Sequence, residues 1–180
     1  MTAWTSPKTY TAGAALTAAE KNTYERDNML YLYERVVGYN PTTSSDLTRD
    51  NSAFATITGL TFPVAAGKNY TFIFVATWEH STTGGGPIFS FDHPDTGTAA
   101  VALFEYTGET SSTSDLRDWV NAKGTGTGVA TADAAAGKRI CVGHGRYTCS
   151  TGGTFSMRYA RNTGGTLTVH AGASLFVTSD

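Results

Sequence analysis

Ten consecutive residues, Tyr70 to Glu79, alternate between two sets of side chains. Tyr70, Phe72, Phe74, Ala76 and Trp78 hold one set of alternate positions, and Thr71, Ile73, Val75, Thr77 and Glu79 the other. A period of two is that of a β-strand whose successive side chains point to opposite faces. The first face is almost entirely aromatic, and rings in such a row need a second layer to cover them. Shorter runs follow the same rule. Ala53 to Thr58 and Leu60 to Val64 flank Gly59, and Ile88 to Phe91 follows the turn-forming Gly84-Gly85-Gly86-Pro87. Val101, Leu103 and Glu105 alternate with Ala102, Phe104 and Tyr106. Gly128 to Thr131 reads as a weak strand. Arg139 to Val142 and Arg146 to Cys149 bracket Gly143-His144-Gly145, which reads as a hairpin turn. Phe155, Met157 and Tyr159 alternate with polar neighbours; Leu167 with Val169 and then Ser174 to Thr178 close the chain. Only Asp115 to Val120 hints at a brief helical turn. About eight to ten short strands divided by Gly, Ser, Thr and Asn predict an all-β fold, an antiparallel β-sandwich or jelly roll.

The helical signal lies ahead of these strands. Thr17-Ala18-Ala19-Glu20 is a capping box, and Gly38 with Pro41 marks the stop, so a helix is predicted over 17–38. Met29, Leu30, Tyr33, Val36 and Val37 share one face of it, after a polar first half. Such a stripe packs under the chain's own sheet or meets copies of itself on a symmetry axis. Residues 1–16 have no helical period and are punctuated by Pro7 and Gly13, which predicts an extended arm. A free arm has no use for Trp4, so the arm is expected to pack against its own chain or a partner. The predicted organisation is an arm at 1–16, a helix at 17–38, a linker at 39–52 and a β domain at 53–180.

Charge and motifs exclude several kinds of function. The 180 residues carry a net charge of −2 and no basic cluster larger than Lys138-Arg139, whereas nucleic-acid binding needs clustered cations. No apolar run nears the roughly 20 residues of a membrane-spanning helix, and the N-terminus lacks the pattern of a secretory signal. Cys141 and Cys149 would face each other if Gly143-His144-Gly145 turned a hairpin; otherwise they are two small buried residues in neighbouring strands. Neither they nor His80, His93, His144 and His170 stand at metal-ligand spacing. Asp92-His93-Pro94-Asp95 is the most chemically loaded stretch, but Pro94 and the following Thr-Gly mark it as a turn. Gly124-Thr-Gly-Thr-Gly128 is followed by strand-like residues, not by the helix a phosphate loop requires. Glu79, Glu105 and Glu109 have no motif that pairs them with Asp92 or Asp95 as a glycosidase would. The expectation is a chain with no catalytic residues, no metal and no cofactor.

From Trp4 to Leu32 the sequence resembles the N-terminal segments of small tailed-bacteriophage structural proteins: head fibres, decoration proteins and short tail fibres. Trp4, Pro7, Gly13, Leu16-Thr17-Ala18, Asn22 and Arg26-Asp27-Asn28 carry the likeness. Gly153 to Val177 looks like the closing strands of trimeric jelly rolls of the tumour-necrosis-factor type, with Phe155, Tyr159, Phe104 and Tyr106 as candidate aromatic trimer contacts or, equally, members of a plain sandwich core. The resemblance implies a virion protein, released by lysis and needing no export signal, on the capsid exterior after synthesis in the host cytoplasm. It implies a decoration (cement) protein bound to the major capsid protein as a homotrimer. Trp4, Pro7, Tyr10, Gly13 and Leu16 would then form the docking arm, and Met29, Leu30, Tyr33, Val36 and Val37 the trimer helix contacts. The alternative it leaves open is a short tail fibre or tail-tip protein that binds tail proteins and a host surface receptor, a glycan or a protein, with Trp119 as a loop aromatic for sugar stacking.

Overall fold

The computed structural model describes residues 5–6, 8–9, 13, 15, 17–29, 42–82, 85–96, 99–107, 116–125, 137–162 and 164–179, without the side chains of 107 and 116–119. Ten strands lie among them. They are β1 (Leu47–Arg49), β2 (Ala55–Val64), β3 (Lys68–His80), β4 (Pro87–Asp92), β5 (Ala100–Thr107), β6 (Leu116–Val120), β7 (Arg139–Cys149), β8 (Gly153–Arg161), β9 (Leu167–Val169) and β10 (Ser174–Ser179). The larger sheet runs β1-β9-β3-β7-β5-β6, with β10 also on β3; the smaller is β2-β8-β4. Every described pairing is antiparallel. The result is the expected antiparallel sandwich. Its strands divide seven to three, unlike the equal halves of an eight-stranded jelly roll.

The aromatic row of β3 organises the core. Tyr70, Phe72, Phe74 and Trp78 are all at most 5% exposed, and the face is continued by buried Ala76 and His80. Phe72 meets Phe155 of β8 at 5.0 Å and Phe91 of β4 at 6.5 Å; Phe74 meets Phe89 of β4 at 5.0 Å. These ring contacts join the two sheets, and each fully buried ring contributes about 1.5–3 kcal/mol of hydrophobic stabilisation. Phe104, Tyr106, Phe155 and Tyr159 belong to this core at 0–4% exposure. Of the two readings open for them, the sandwich core holds and the trimer contact is corrected, because their surface is already used between the sheets.

Three local readings also change. Gly143-His144-Gly145 is not a turn but the middle of β7, which pairs along its length with β3 and β5. A Cβ on Gly145 would lie 2.0 Å from the Phe72 ring, and one on Gly143 2.6 Å from Phe104. The glycines make room for rings, not for a bend. Cys141 and Cys149 thus lie on one strand, both buried and not joined in a disulfide. Eight residues of strand separate them by roughly 26 Å, far beyond disulfide reach. Gly59 does not divide two strands. It sits at φ +93° inside β2, where the register with β8 shifts between Thr56 and Thr61, and a Cβ there would come 3.0 Å from the Thr42 carbonyl oxygen. Leu116 to Val120, with Trp119, forms strand β6 instead of a helical turn or loop. Residues 128–131, read as a weak strand, lie outside the described residues.

Candidate functional site

The N-terminal segment is where the sequence places the expected attachment residues, and its described part is an arm laid along a helix. The capping box forms as predicted. The Thr17 hydroxyl accepts from the Glu20 backbone N–H at 3.2 Å, and the Glu20 carboxylate accepts from the Thr17 backbone N–H at 3.0 Å. Lys8 of the arm forms an ion pair with the same carboxylate. With Lys8 and Thr17 both donating to it, Glu20 is held down to about 2. About two helical turns further on, the Asn28 side chain grips the arm a second time. The Thr5 backbone N–H donates to Asn28 Oδ1 at 2.9 Å, and Asn28 Nδ2 donates to the Thr5 carbonyl at 2.8 Å. Asn28 is 6% exposed. Residues 5 to 8 of the arm therefore run opposite to residues 28 to 20 of the helix.

The helix is not regular, and the irregularity serves this contact. The α-helical turn α1 (Ala18–Lys21) leads into a π-helical turn at Asn22–Arg26, where the Asp27 N–H bonds back to the Asn22 carbonyl. In an unbroken α-helix, residues eight apart point about 80° away from each other. A π turn absorbs one residue, so that Glu20 and Asn28 align like a pair seven apart, within about 20°. Both then face the arm. The uniform α-helix expected over 17–38 is corrected at this point.

The structure brings together only part of the expected attachment set. Gly13 is exposed with φ +80°, a turn conformation that suits glycine. Met29 is 70% exposed at the end of the described helix. Trp4, Pro7, Tyr10 and Leu16, and likewise Leu30, Tyr33, Val36 and Val37, lie outside the described residues. Thr5 is not singled out in the sequence, and Asn28 enters only as part of the N-terminal likeness, not as a residue that holds the arm. Thr5 carries no local signal, and Asn28 is marked by the likeness and by being an amide residue among charged neighbours, directly before the apolar stripe.

The chain enters the sandwich through a second clasp. Thr42 bridges to Ser174 at the start of β10. The Thr43 N–H donates to the Ala173 carbonyl at 2.9 Å, and Gly172 N–H to the Thr43 carbonyl at 3.0 Å. Asp46 accepts from the Ala171 N–H at 2.8 Å, and its other oxygen lies 3.2 Å from His170 Nδ1. These bonds hold the Asp46 carboxyl below its ordinary range. Much of the stretch 42–52, expected as linker, is thus built into the larger sheet, including β1.

The chemically loaded turn proves to be a corner lock. Asp95 is 2% exposed and accepts from the Tyr147 hydroxyl at 2.6 Å, the Ser150 N–H at 3.0 Å, the Ser150 hydroxyl at 2.7 Å and the Thr151 hydroxyl. Four donors hold its carboxyl far below the usual range, while burial, reinforced by Asp95, raises the Tyr147 phenol. His93 packs against Tyr147 at 5.0 Å with the rings tilted and stacks on Phe91 at 5.9 Å, and burial lowers its pKa. Asp92 faces Arg158 at 3.4 Å and Lys123 at 3.9 Å. Asp95 holds the β4–β5 connection against the β7–β8 turn, and Asp92 ties the end of β4 to Arg158 of β8 and to Lys123 after β6. Because the folded-state pKa of Asp95 lies below its unfolded value, its contribution is complete above about pH 4 and is lost as pH falls through the folded value. Asp95→Asn is expected to lower the melting temperature at pH 7 and to flatten its decline between pH 4 and 2, measured by circular dichroism.

No carboxylate pair suited to glycoside cleavage forms between Glu79 and Glu105. Glu105 of β5 lies opposite Val142, and Val142 opposite Val75, four residues before Glu79 on β3. Two strands across and four residues along is roughly 16 Å, beyond the 5–10 Å that such a pair requires. Glu109 lies outside the described residues. Among the described residues no three His, Cys, Asp or Glu side chains gather to hold a metal ion, and no helix is long and apolar enough to cross a membrane.

No protein family and no curated protein matches the chain. Among solved structures it overlays the infectious bursal disease virus VP2 subviral particle at 9% identity and a TM-score of 0.23, over 78% of this chain and 39% of that one. It overlays the infectious bursal disease virus Gx strain at 10% identity and a TM-score of 0.20, over 79% of this chain and 35% of that one. The chain spans little more than a third of the length of those proteins.

Proposed function

We propose that the chain is a structural protein of a virus particle, a decoration protein fixed to the outside of a tailed-phage head. The observation that carries this reading is the arm–helix unit. The arm is shaped on its own helix by Asn28 and Glu20, and an exposed apolar residue, Met29, stands at the helix end. Preshaping of this kind lowers the ordering cost of docking. The N-terminal resemblance supplies the kind of surface, the major capsid protein shell. The apolar set Met29, Leu30, Tyr33, Val36 and Val37, expected from the sequence to share one helix face, would supply a contact among three copies, and three arms gripping different subunits give strong attachment from modest single contacts. Trp4 and Leu16 would each add about 2–3 kcal/mol on burial in the shell.

Heads stripped of the protein test the reading. The full chain is expected to rebind them, and a chain lacking residues 1–16 to bind at least a hundredfold more weakly while its sandwich melts unchanged. Adsorption of the full chain to host cells, with competition against the phage and no binding to heads, would favour the tail-fibre reading instead.

A further inference from the structure

The corner lock contains one group that is buried, polar and unused. His93 is 3% exposed, and neither of its ring nitrogens has a hydrogen-bond partner among the described residues. The ring lies against Tyr147 of β7 and Phe91 of β4. A neutral imidazole can occupy such a pocket, but an imidazolium brings a full charge and two N–H donors that find no acceptor there. The charged groups around it are Asp92 at the end of β4, Asp95 in the β4–β5 connection, Lys123 after β6 and Arg158 of β8. Asp95 is engaged by Tyr147, Ser150 and Thr151, and Asp92 by Arg158 and Lys123. Lys123 sets its ammonium on the His93 carbonyl oxygen at 3.1 Å. Burial and that ammonium hold the imidazole below its ordinary range, against the smaller opposing pull of Asp95 and Asp92. The same ammonium faces Asp92, and next to it the Gly124 N–H donates to the Phe91 carbonyl at 2.9 Å. Residues 123 and 124 are thereby clipped to β4, the end strand of the smaller sheet. Cover of this kind keeps the backbone of an end strand from pairing with another chain.

We propose that His93 is an acid-operated latch: when its ring takes up a proton it leaves the Tyr147–Phe91 pocket, and Lys123 and Gly124 come off β4 while the Asp95 lock stays shut. Burial sets the direction. The unfolded chain binds the proton with the ordinary histidine value of about 6.5, and the folded chain binds it more weakly. The contribution of the latch is therefore complete above about pH 6.5 and is lost as the pH falls below that value and through the folded one. An imidazolium beside Lys123 adds like-charge repulsion at the clip itself. Asp95, whose carboxyl stays ionised to far lower pH, keeps its donors throughout this window. The device rests on the corner alone and is independent of the attachment reading.

Amide hydrogen exchange of the full chain tests it, followed by NMR between about pH 7.5 and pH 5 and corrected for the intrinsic pH dependence of exchange. Protection of the Gly124 N–H is expected to fall at least tenfold across that range. Protection of the Ser150 N–H, which donates to Asp95, is expected to change less than twofold. His93→Phe keeps a ring in the pocket and cannot take up a proton, so its Gly124 protection is expected to stay level. The His93 ring resonances of the parent chain give a second reading that needs no variant: they are expected to titrate below about 6.5, in step with the loss at Gly124. Equal loss of protection in the parent and in His93→Phe overturns the proposal. So does a Gly124 amide as protected at pH 5 as at pH 7.5, or a His93 ring that titrates at or above the ordinary value. Joint loss at Gly124 and Ser150 overturns it as well, because the whole corner would then be loosening and not the latch.

Discussion

Gly145→Val is expected to destabilise the sandwich by about 3 kcal/mol or more, equivalent to roughly 6–12 °C in Tm for a chain of this size. Gly145 lies directly opposite Phe72 in the β3–β7 register. The position that a Cβ would take is 2.0 Å from the tip of the Phe72 ring. That ring cannot swing aside, because Phe155 and Phe91 of the other sheet hold it. The strand cannot retreat either, since β7 is bonded on both edges. Phe72→Ala alone is expected to cost about 3–5 kcal/mol through the cavity it leaves. The valine of the first variant occupies part of that cavity, so the double variant should be less damaged than the two losses added, by at least about 1 kcal/mol. Urea unfolding of the four proteins measures this. Strict additivity would show that the ring and the glycine do not share the space.

The second large effect concerns attachment. Asn28→Ala leaves the Thr5 N–H and carbonyl without their partners and removes the only described grip on the arm before Lys8. Losing two partly buried hydrogen bonds costs about 1–3 kcal/mol in the docked arm, or roughly tenfold to a hundredfold in its population. If three arms act together the loss multiplies, and binding to stripped heads should fall by more than a hundredfold. The sandwich has no described contact with Asn28, so its melting should not move. Asn28→Asp isolates the geometry: it keeps the acceptor for Thr5 N–H and loses the donor to the carbonyl. Its binding should fall between those of the parent and Asn28→Ala. A full loss of binding with Asn28→Ala accompanied by a fall in sandwich melting would instead mark Asn28 as a general folding residue.

Local rules were enough for the elements whose cause is local. The capping box at Thr17 and Glu20 follows from four residues, and the aromatic face of β3 from ten. The middle of β7 was not legible for the opposite reason. Gly-His-Gly signals a turn on local grounds, but here the missing Cβ atoms are demanded by Phe72 and Phe104, which arrive from other strands. The π turn is similar, since it answers to Thr5 and Lys8 across the arm. The seven-to-three division of the sheets depends on which strands pair, and no period within a strand encodes that. Of the candidate site, the arm and helix could be placed, but not the residue that joins them. Asn28 stands out in the likeness, but nothing local in the sequence says that its amide meets the Thr5 backbone that runs beside it.

The most direct measurement of the central claim is an electron-microscopy map of the particle that carries this protein. The account predicts β-sandwich density on the outer surface of the head at repeated positions, joined to the shell by a helix and an extended arm that ends among capsid subunits. Density at the tail tip, or a sandwich seated on the head by its sheets with the arm turned to solvent, would contradict it.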